Sequence, residues 1–150
     1  MTTRSRHDLD LHEQYIAPQV ITQSGGAIVG GNCDTKGFDS VLFNVQYGDI
    51  DELGGSPVGS AKLAVLIETA PDNAGSPGAY AAASQDEVDG QTVTAGVFEV
   101  TTDLVNSTFA VITKNRFVRI TLTPTGLTNG GPVAVATAKG HAHLTPVTNT

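Results

Sequence analysis

Apolar and polar residues alternate along several short stretches of this chain, which predicts β-strands. The clearest case is Phe38–Tyr47, where every second residue from Val41 onward is apolar and the intervening residues are mostly polar. Because successive side chains of a strand point to opposite faces of its sheet, such a strand has one buried and one exposed face. Similar patterns predict strands over residues 20–23, 27–29, 61–69, 80–83, 92–100, 109–113, 116–123 and 133–139.

Some of these stretches carry more detailed expectations. Residues 109–113 and 116–123 resemble a hairpin with Lys114 and Asn115 at its tip, and the irregular rhythm around Gly96 predicts a bulge or a strand break there. Two apolar triplets each share one face of a strand: Leu63, Val65 and Ile67, and Val118, Ile120 and Leu122, of which the second is expected to point toward the core.

Short strands separated by turn residues, without a long stretch of helical period, indicate an all-β protein. The spacing favours an antiparallel β-sandwich or jelly roll. We expect an extended N-terminal arm over residues 1–18, with a short helical turn or a frayed terminus as the alternatives. A single β-sandwich domain over 19–147 and a C-terminal tail over 148–150 follow.

The composition indicates a surface that is partly covered by something else. Only 15% of the residues are charged, against about 25% in typical soluble domains. The net charge of −7 argues against a nucleic-acid partner, because phosphate binding needs clustered Lys and Arg.

The charges are also segregated along the chain. Residues 49–103 hold ten acids and one base, whereas residues 104–150 hold four bases and no acid. Either the segregation is accidental on a solvated surface, or the subunit is bipolar and its basic side meets an acidic neighbour, including a copy of itself.

No pattern of catalytic or cofactor-binding residues stands out. Cys33 is the only cysteine, so no disulfide within the chain is expected. His141 and His143 could share one face of a strand, but no third metal ligand lies nearby, so we interpret them as surface or interface histidines. The loop from Asp49 resembles the start of a calcium loop until Leu53 replaces an oxygen ligand. We therefore expect no enzyme, no metal and no cofactor.

The N-terminus lacks the apolar core of a signal peptide, and no apolar run approaches the ~20 residues that cross a bilayer. We expect synthesis in the cytoplasm and no membrane partner.

Four short motifs resemble those of small structural proteins of tailed bacteriophages. They are Ala17-Pro18-Gln19, Gly37-Phe38-Asp39-Ser40, the strand RFVRITLT over residues 116–123, and Gly140-His141. The resemblance covers roughly residues 17–147. It implies a capsid decoration (cement) protein in the virion, bound to the major capsid protein on the outside of the head, with copies gathered as a homotrimer.

We expect the contacts with the shell or with sister subunits to come from the N-terminal arm and the basic C-terminal strands. The acidic loops over residues 48–60 and 86–90 would face solvent. The candidate contact residues are Arg4, Arg6, Leu9, Leu11, Tyr15, Ile16, Arg116, Arg119, Lys139, His141 and His143.

Two other classes of protein remain open. One is a neck or tail protein of the head-closure or tail-tube type. The other is a carbohydrate-binding jelly roll for host attachment, which needs exposed aromatic side chains around a groove. Tyr47 and Tyr80 are the candidates for such a platform, and both are expected to be partly buried.

Overall fold

The computed structural model describes residues 11–53, 61–102 and 106–142. In these ranges the chain forms strands joined by turns and one short 3₁₀ turn at Gln85–Glu87. The strands are β1 (Leu11–Ile21), β2 (Ile28–Val29), β3 (Cys33–Asp34), β4 (Phe38–Tyr47), β5 (Lys62–Ala70), β6 (Asp72–Asn73), β7 (Ser76–Pro77), β8 (Ala81–Ala82), β9 (Val88–Asp89), β10 (Val97–Val100), β11 (Asn106–Val111), β12 (Phe117–Thr125) and β13 (Gly131–Ala142).

The strands form two main antiparallel sheets. Sheet A has the order β1-β13-β4-β11-β9, and sheet B has the order β10-β5-β12-β2, with β3 also paired to β12 and β8 to β5. The short strands β6 and β7 make a separate hairpin. The prediction of an all-β antiparallel sandwich is confirmed, whereas the jelly-roll topology stays a prediction.

The core lies between the two sheets and is built from the residues that the alternation placed inward. On β4 these are Val41, Phe43, Val45 and Tyr47, and both predicted triplets on β5 and β12 are fully buried. An aromatic series crosses the core: Phe43 stacks on Phe109 with ring centroids 5.5 Å apart, and Phe109 meets Phe98 of sheet B edge to face at 5.3 Å.

Residues 11–18 of the predicted arm are part of sheet A. Strand β1 pairs with β13 over most of its length, with register shifts between Gln14 and Ile16 and between Ile16 and Gln19. These bulges let Tyr15 and Ile16 both pack against the core, since an extra residue in one strand interrupts its alternation. The predicted boundary at residue 18 therefore falls inside a strand, and residues 1–10 lie outside the described residues.

The predicted hairpin of residues 109–113 and 116–123 is wrong. Strand β11 belongs to sheet A, where it pairs with β4 and β9, and β12 belongs to sheet B. The residues between them cross from one sheet to the other, and hydrogen bonds from other segments fix this crossing. The side-chain amide of Asn115 donates to Thr69 Oγ1 at 2.8 Å, and the hydroxyl of Thr35 donates to the Arg116 carbonyl at 2.8 Å. Alternation within a strand does not encode which strand will be its neighbour.

The strand break predicted at Gly96 is confirmed. Strand β10 begins at Val97, and Gly96 has a φ of +74°. A Cβ atom at this position would lie 2.7 Å from the carbonyl oxygen of Ile67, so the glycine also permits a close backbone approach.

Candidate docking site

The predicted basic surface of the C-terminal strands is largely neutralised within the chain. The guanidinium of Arg116 donates to Asp34 from Nε at 2.9 Å and from the second terminal nitrogen at 2.7 Å, and it reaches Asp72 at 3.1 Å. Hydrogen bonding by Arg116 holds the pKa of Asp34 below its usual value. Arg116 is thus paired with acids of its own chain.

Arg119 is paired in the same way on the outer side of sheet B. Its guanidinium donates twice to Glu68, at 2.7 and 3.0 Å, and lies 3.9 Å from the centroid of the Tyr80 ring. Tyr47 is 5% exposed. The Tyr47 ring is therefore buried in the core, whereas Arg119 covers one face of the half-buried Tyr80 ring.

Two further candidate contact residues are buried within this chain. Ile16 belongs to the core at 5% exposure, and Lys139 is 7% exposed on the inner side of β13, where it pairs with Glu13 at 3.1 Å. The alternation that buries Val133 and Val135 also turns residue 139 inward, and Glu13 of the neighbouring strand compensates its charge. Little of either side chain is left for another subunit.

The first and the last described residues lie at the same end of sheet A, which we call the terminal end. The first described residue, Leu11, is paired with Lys139, and the last described residue, Ala142, is paired with Phe38 of β4. His141 lies between them on β13. Arg4, Arg6, Leu9 and His143 lie outside the described residues, in the segments that continue from this end.

The outer side of sheet A carries no charged side chain among the described residues of β4, β11 and β13. We call these positions, with Gln14 of β1, the neutral face. Strand register places them in three rows, of which the middle row is Gln14, Ala136, Asn44 and Thr108. One outer row is Leu42, Ala110 and Ala138, and the other is Gln46, Asn106 and Ala134.

The surface of the neutral face is not flat. Leu42, in one outer row, is 37% exposed and is the large apolar side chain that protrudes from it. Shallow depressions lie at the opposite row, and their lining includes Glu13, Pro18, Gln46, Ala134 and Pro132. The sequence signal for this face is the polar or alanine half of each alternating strand.

The outer side of sheet B differs. It carries the ion pair between Lys62 and Glu99 at 2.6 Å and the pair between Arg119 and Glu68. Sheet A is not free of charge on its outer side either, because Asp89 of β9 is exposed and is paired with Ala110 at the edge of the neutral face.

The described part of the first acidic loop, residues 48–53, is only partly exposed. Its Glu52 carboxylate accepts hydrogen bonds from the backbone amides of Asn129 and Gly130, which lower the pKa of Glu52, while Ile50 and Leu53 are buried in the core. This loop therefore anchors the turn before β13. In the second acidic loop Asp86 and Asp89 are exposed, but Glu87 accepts hydrogen bonds from Ser84 and Thr113.

Within residues 11–53, 61–102 and 106–142, no group of three or more His, Cys, Asp or Glu side chains is placed to hold a metal ion. The same ranges contain no helix that is long and apolar enough to cross a membrane. Comparison with protein-family models, with curated proteins and with solved structures gave no match to this chain.

Proposed function

We propose that this protein is a capsid decoration (cement) subunit of a tailed bacteriophage, which binds the outside of the assembled head and bridges major capsid subunits. The proposal starts from the sequence motifs given above. The structural observation that carries it further is the terminal end of sheet A, because both segments expected to contact the shell continue from that one place.

A rigid sandwich with two chain segments leaving one end suits attachment to a repeated surface. The strands that carry these segments, β1 and β13, pair with each other, and β13 pairs with β4 at the centre of sheet A. Force on either segment is therefore passed to the sheet rather than to a loop. Because such a subunit binds the assembled shell and not its dissociated parts, its binding stabilises the shell by mass action.

Because the basic residues of the C-terminal strands are paired within the chain, we assign the contact with the shell to other residues. Arg116, Arg119 and Lys139 have acid partners within the chain, so we assign them to the fold. Contacts with the major capsid protein are assigned to Arg4, Arg6, Leu9 and His143, with His141 beside them. The homotrimer that the resemblance implies would form on the shell, where local symmetry axes hold three copies together.

The decisive experiment is the copy number of this chain relative to the major capsid protein in purified particles. A ratio near one, or a simple fraction such as one third, is expected for a subunit spread over the shell. A handful of copies per particle would instead indicate a neck or tail protein, and absence from particles would overturn the proposal.

A deletion tests the assigned contact. Removing residues 2–10 leaves every described strand in place, so we expect an unchanged melting temperature and weaker binding to heads that lack the protein. A deletion that extended to residue 16 would be uninformative, because it removes Tyr15 and Ile16 from the core. Exchange of Arg4 and Arg6 for alanine is the milder matched variant. Full occupancy by both variants would contradict the assignment of the contact.

A further inference from the structure

We propose that Asn129-Gly130 is a site of spontaneous deamidation, and that the carboxylate of Glu52 suppresses the reaction while the turn before β13 is closed. Asn129 is exposed in that turn, and Gly130 is buried. The pair is the only Asn-Gly sequence in the chain. The reaction needs only water and this chain, so it does not depend on the proposed function.

The chemistry takes place between neighbouring residues. The backbone nitrogen of Gly130 loses its proton and attacks Cγ of Asn129. A bond forms between these two atoms, the C–N bond of the carboxamide breaks, and the leaving nitrogen takes up a proton and departs as ammonia. Water then opens the cyclic imide at either of its carbonyl groups. The products are aspartate and isoaspartate at residue 129, and each adds a negative charge to the chain.

The fold requires the glycine that makes Asn129 vulnerable. Gly130 has a φ of +65°, and a Cβ atom there would lie 1.8 Å from the carbonyl oxygen of Ile21. A side chain on the residue after an asparagine hinders the approach of its backbone nitrogen to the asparagine Cγ, whereas glycine has no Cβ and offers no hindrance. Packing against Ile21 therefore excludes the substitutions at residue 130 that would protect Asn129 by bulk.

Protection comes instead from a residue that is distant in the sequence. The Glu52 carboxylate accepts hydrogen bonds from the backbone amides of Asn129 and Gly130, the latter at 3.1 Å. The attacking nitrogen is thus held through its own proton, and the negative charge beside it disfavours the amide anion that attacks. These hydrogen bonds also hold the pKa of Glu52 below its usual value, so the carboxylate is a poor base for removing that proton.

Opening of the turn would release both amides, and deamidation would make the change permanent. Either product places a second negative charge beside Glu52. Isoaspartate also lengthens the backbone before Gly131, where a Cβ atom would already lie 2.3 Å from the carbonyl oxygen of Asp49. Because Gly131 begins β13 and pairs with Ile21 of β1, the product should loosen the start of β13.

Peptide mapping by mass spectrometry after incubation in mildly alkaline buffer tests the proposal. Tryptic cleavage after Arg119 and Lys139 gives the peptide 120–139, in which Asn129 is the only side chain with an amide, so its conversion to an acid is assigned directly. The folded chain is expected to deamidate slowly, and the same chain in urea rapidly. Glu52→Gln removes the charge that accepts both hydrogen bonds and should accelerate deamidation of the folded chain roughly tenfold.

The matched control is Asp51→Ala. Asp51 is the neighbouring acid and is exposed, and the two amides donate to Glu52 and not to it. This variant should therefore deamidate at the rate of the unaltered chain. Far-ultraviolet circular dichroism confirms that each variant is folded, and Glu52→Asp, which withdraws the carboxylate by a methylene group, replaces Glu52→Gln if the latter is not. Equal rates in the folded chain and in urea, no reaction in urea, or no acceleration by the variant at Glu52 would each overturn the proposal.

The effect of the product on the fold is tested separately. Asn129→Asp places the new charge beside Glu52, and Asn129→Ser is its uncharged control. The aspartate variant is expected to melt at a lower temperature than the serine variant at neutral pH, and equal melting temperatures would contradict the loosening that we assign to the charge.

Discussion

The aromatic ring of Tyr15 lies so close to Gly30 that a Cβ atom on residue 30 would be 2.3 Å from Cε1 of the tyrosine. Tyr15 belongs to β1 of sheet A, whereas Gly30 follows β2 of sheet B. The Tyr15 hydroxyl donates to the carbonyl of Gly31 and accepts from the backbone amide of Ile120 at 3.2 Å. One side chain thus joins the two sheets, and the missing side chain of Gly30 makes room for it.

Replacement of Gly30 by alanine should therefore destabilise the protein. The added methyl group would meet the Tyr15 ring and force it or the backbone to move, at an expected cost of about 1–3 kcal/mol. Gly31→Ala is the matched control, because nothing lies within 4 Å of a Cβ atom there. Denaturant unfolding measures both changes, and equal losses for the two variants would contradict the close contact with Tyr15.

Tyr15→Phe keeps the ring and removes the hydroxyl. The amide of Ile120 and the carbonyl of Gly31 would lose their shared partner, so we expect a loss of about 1–3 kcal/mol in the free energy of unfolding. Hydrogen exchange at the Ile120 amide gives a local measurement, with faster exchange expected in the variant. Unchanged exchange would show that this hydrogen bond does not protect the amide.

Stability should decrease in acid. Hydrogen bonding by Arg116 lowers the pKa of Asp34, and the backbone amide of Gly75 together with Arg116 lowers that of Asp72. A carboxylate whose pKa is lower in the folded state stabilises the fold above its unfolded value, and this contribution is lost as the pH falls through the folded pKa. We expect a nearly constant free energy of unfolding around neutral pH and a decline below about pH 4.

Asp34→Asn tests the origin of this decline. It should lower stability at pH 7 by less than about 1 kcal/mol, since the pair is partly exposed, and it should make the acid decline shallower. The same exchange at Asp51, in an exposed turn, is the control. An acid decline as steep in Asp34→Asn as in the unaltered chain would contradict the assignment.

The loop between β6 and β7 contains a residue whose replacement should stabilise the protein. Its two-residue loop is Ala74-Gly75, with φ of +52° and +91°, a conformation that favours asparagine or glycine over alanine. Ala74→Asn should therefore raise the free energy of unfolding by about 0.5–1 kcal/mol. Ala27→Gly is a control, because Ala27 is exposed without a positive φ, and the added chain flexibility there should be neutral or destabilising. A destabilised Ala74→Asn chain would argue against this turn geometry.

The thiol of Cys33 should be unreactive in the folded protein. Cys33 is 3% exposed, and burial raises its pKa to about 11, so little thiolate is present at pH 8. We expect an aromatic disulfide reagent to react at a rate limited by opening of the structure and at full speed in denaturant. Rapid reaction without denaturant would contradict the burial of this residue.

Local alternation in the sequence was enough to predict the strands and their inward faces. In β4 and β5, and in the inner residues of β12, the apolar positions predicted to face the core are those that the structure buries. The break at Gly96 was visible because its surroundings lose the period of two. These features depend on side chains within one short segment, and the sequence displays them directly.

The predictions that failed or stayed open concern relations between distant segments. The sequence by itself determined an all-β sandwich, its core residues and its separation of acidic from basic segments. Only the tertiary structure decided that β11 and β12 lie in different sheets, that Arg116 and Arg119 find acids on other strands, and that Tyr15 needs the space at Gly30. The physical reason is that strand order, ion pairing and close packing depend on which segments meet after folding. The period of hydrophobicity within a segment carries no information about its neighbours.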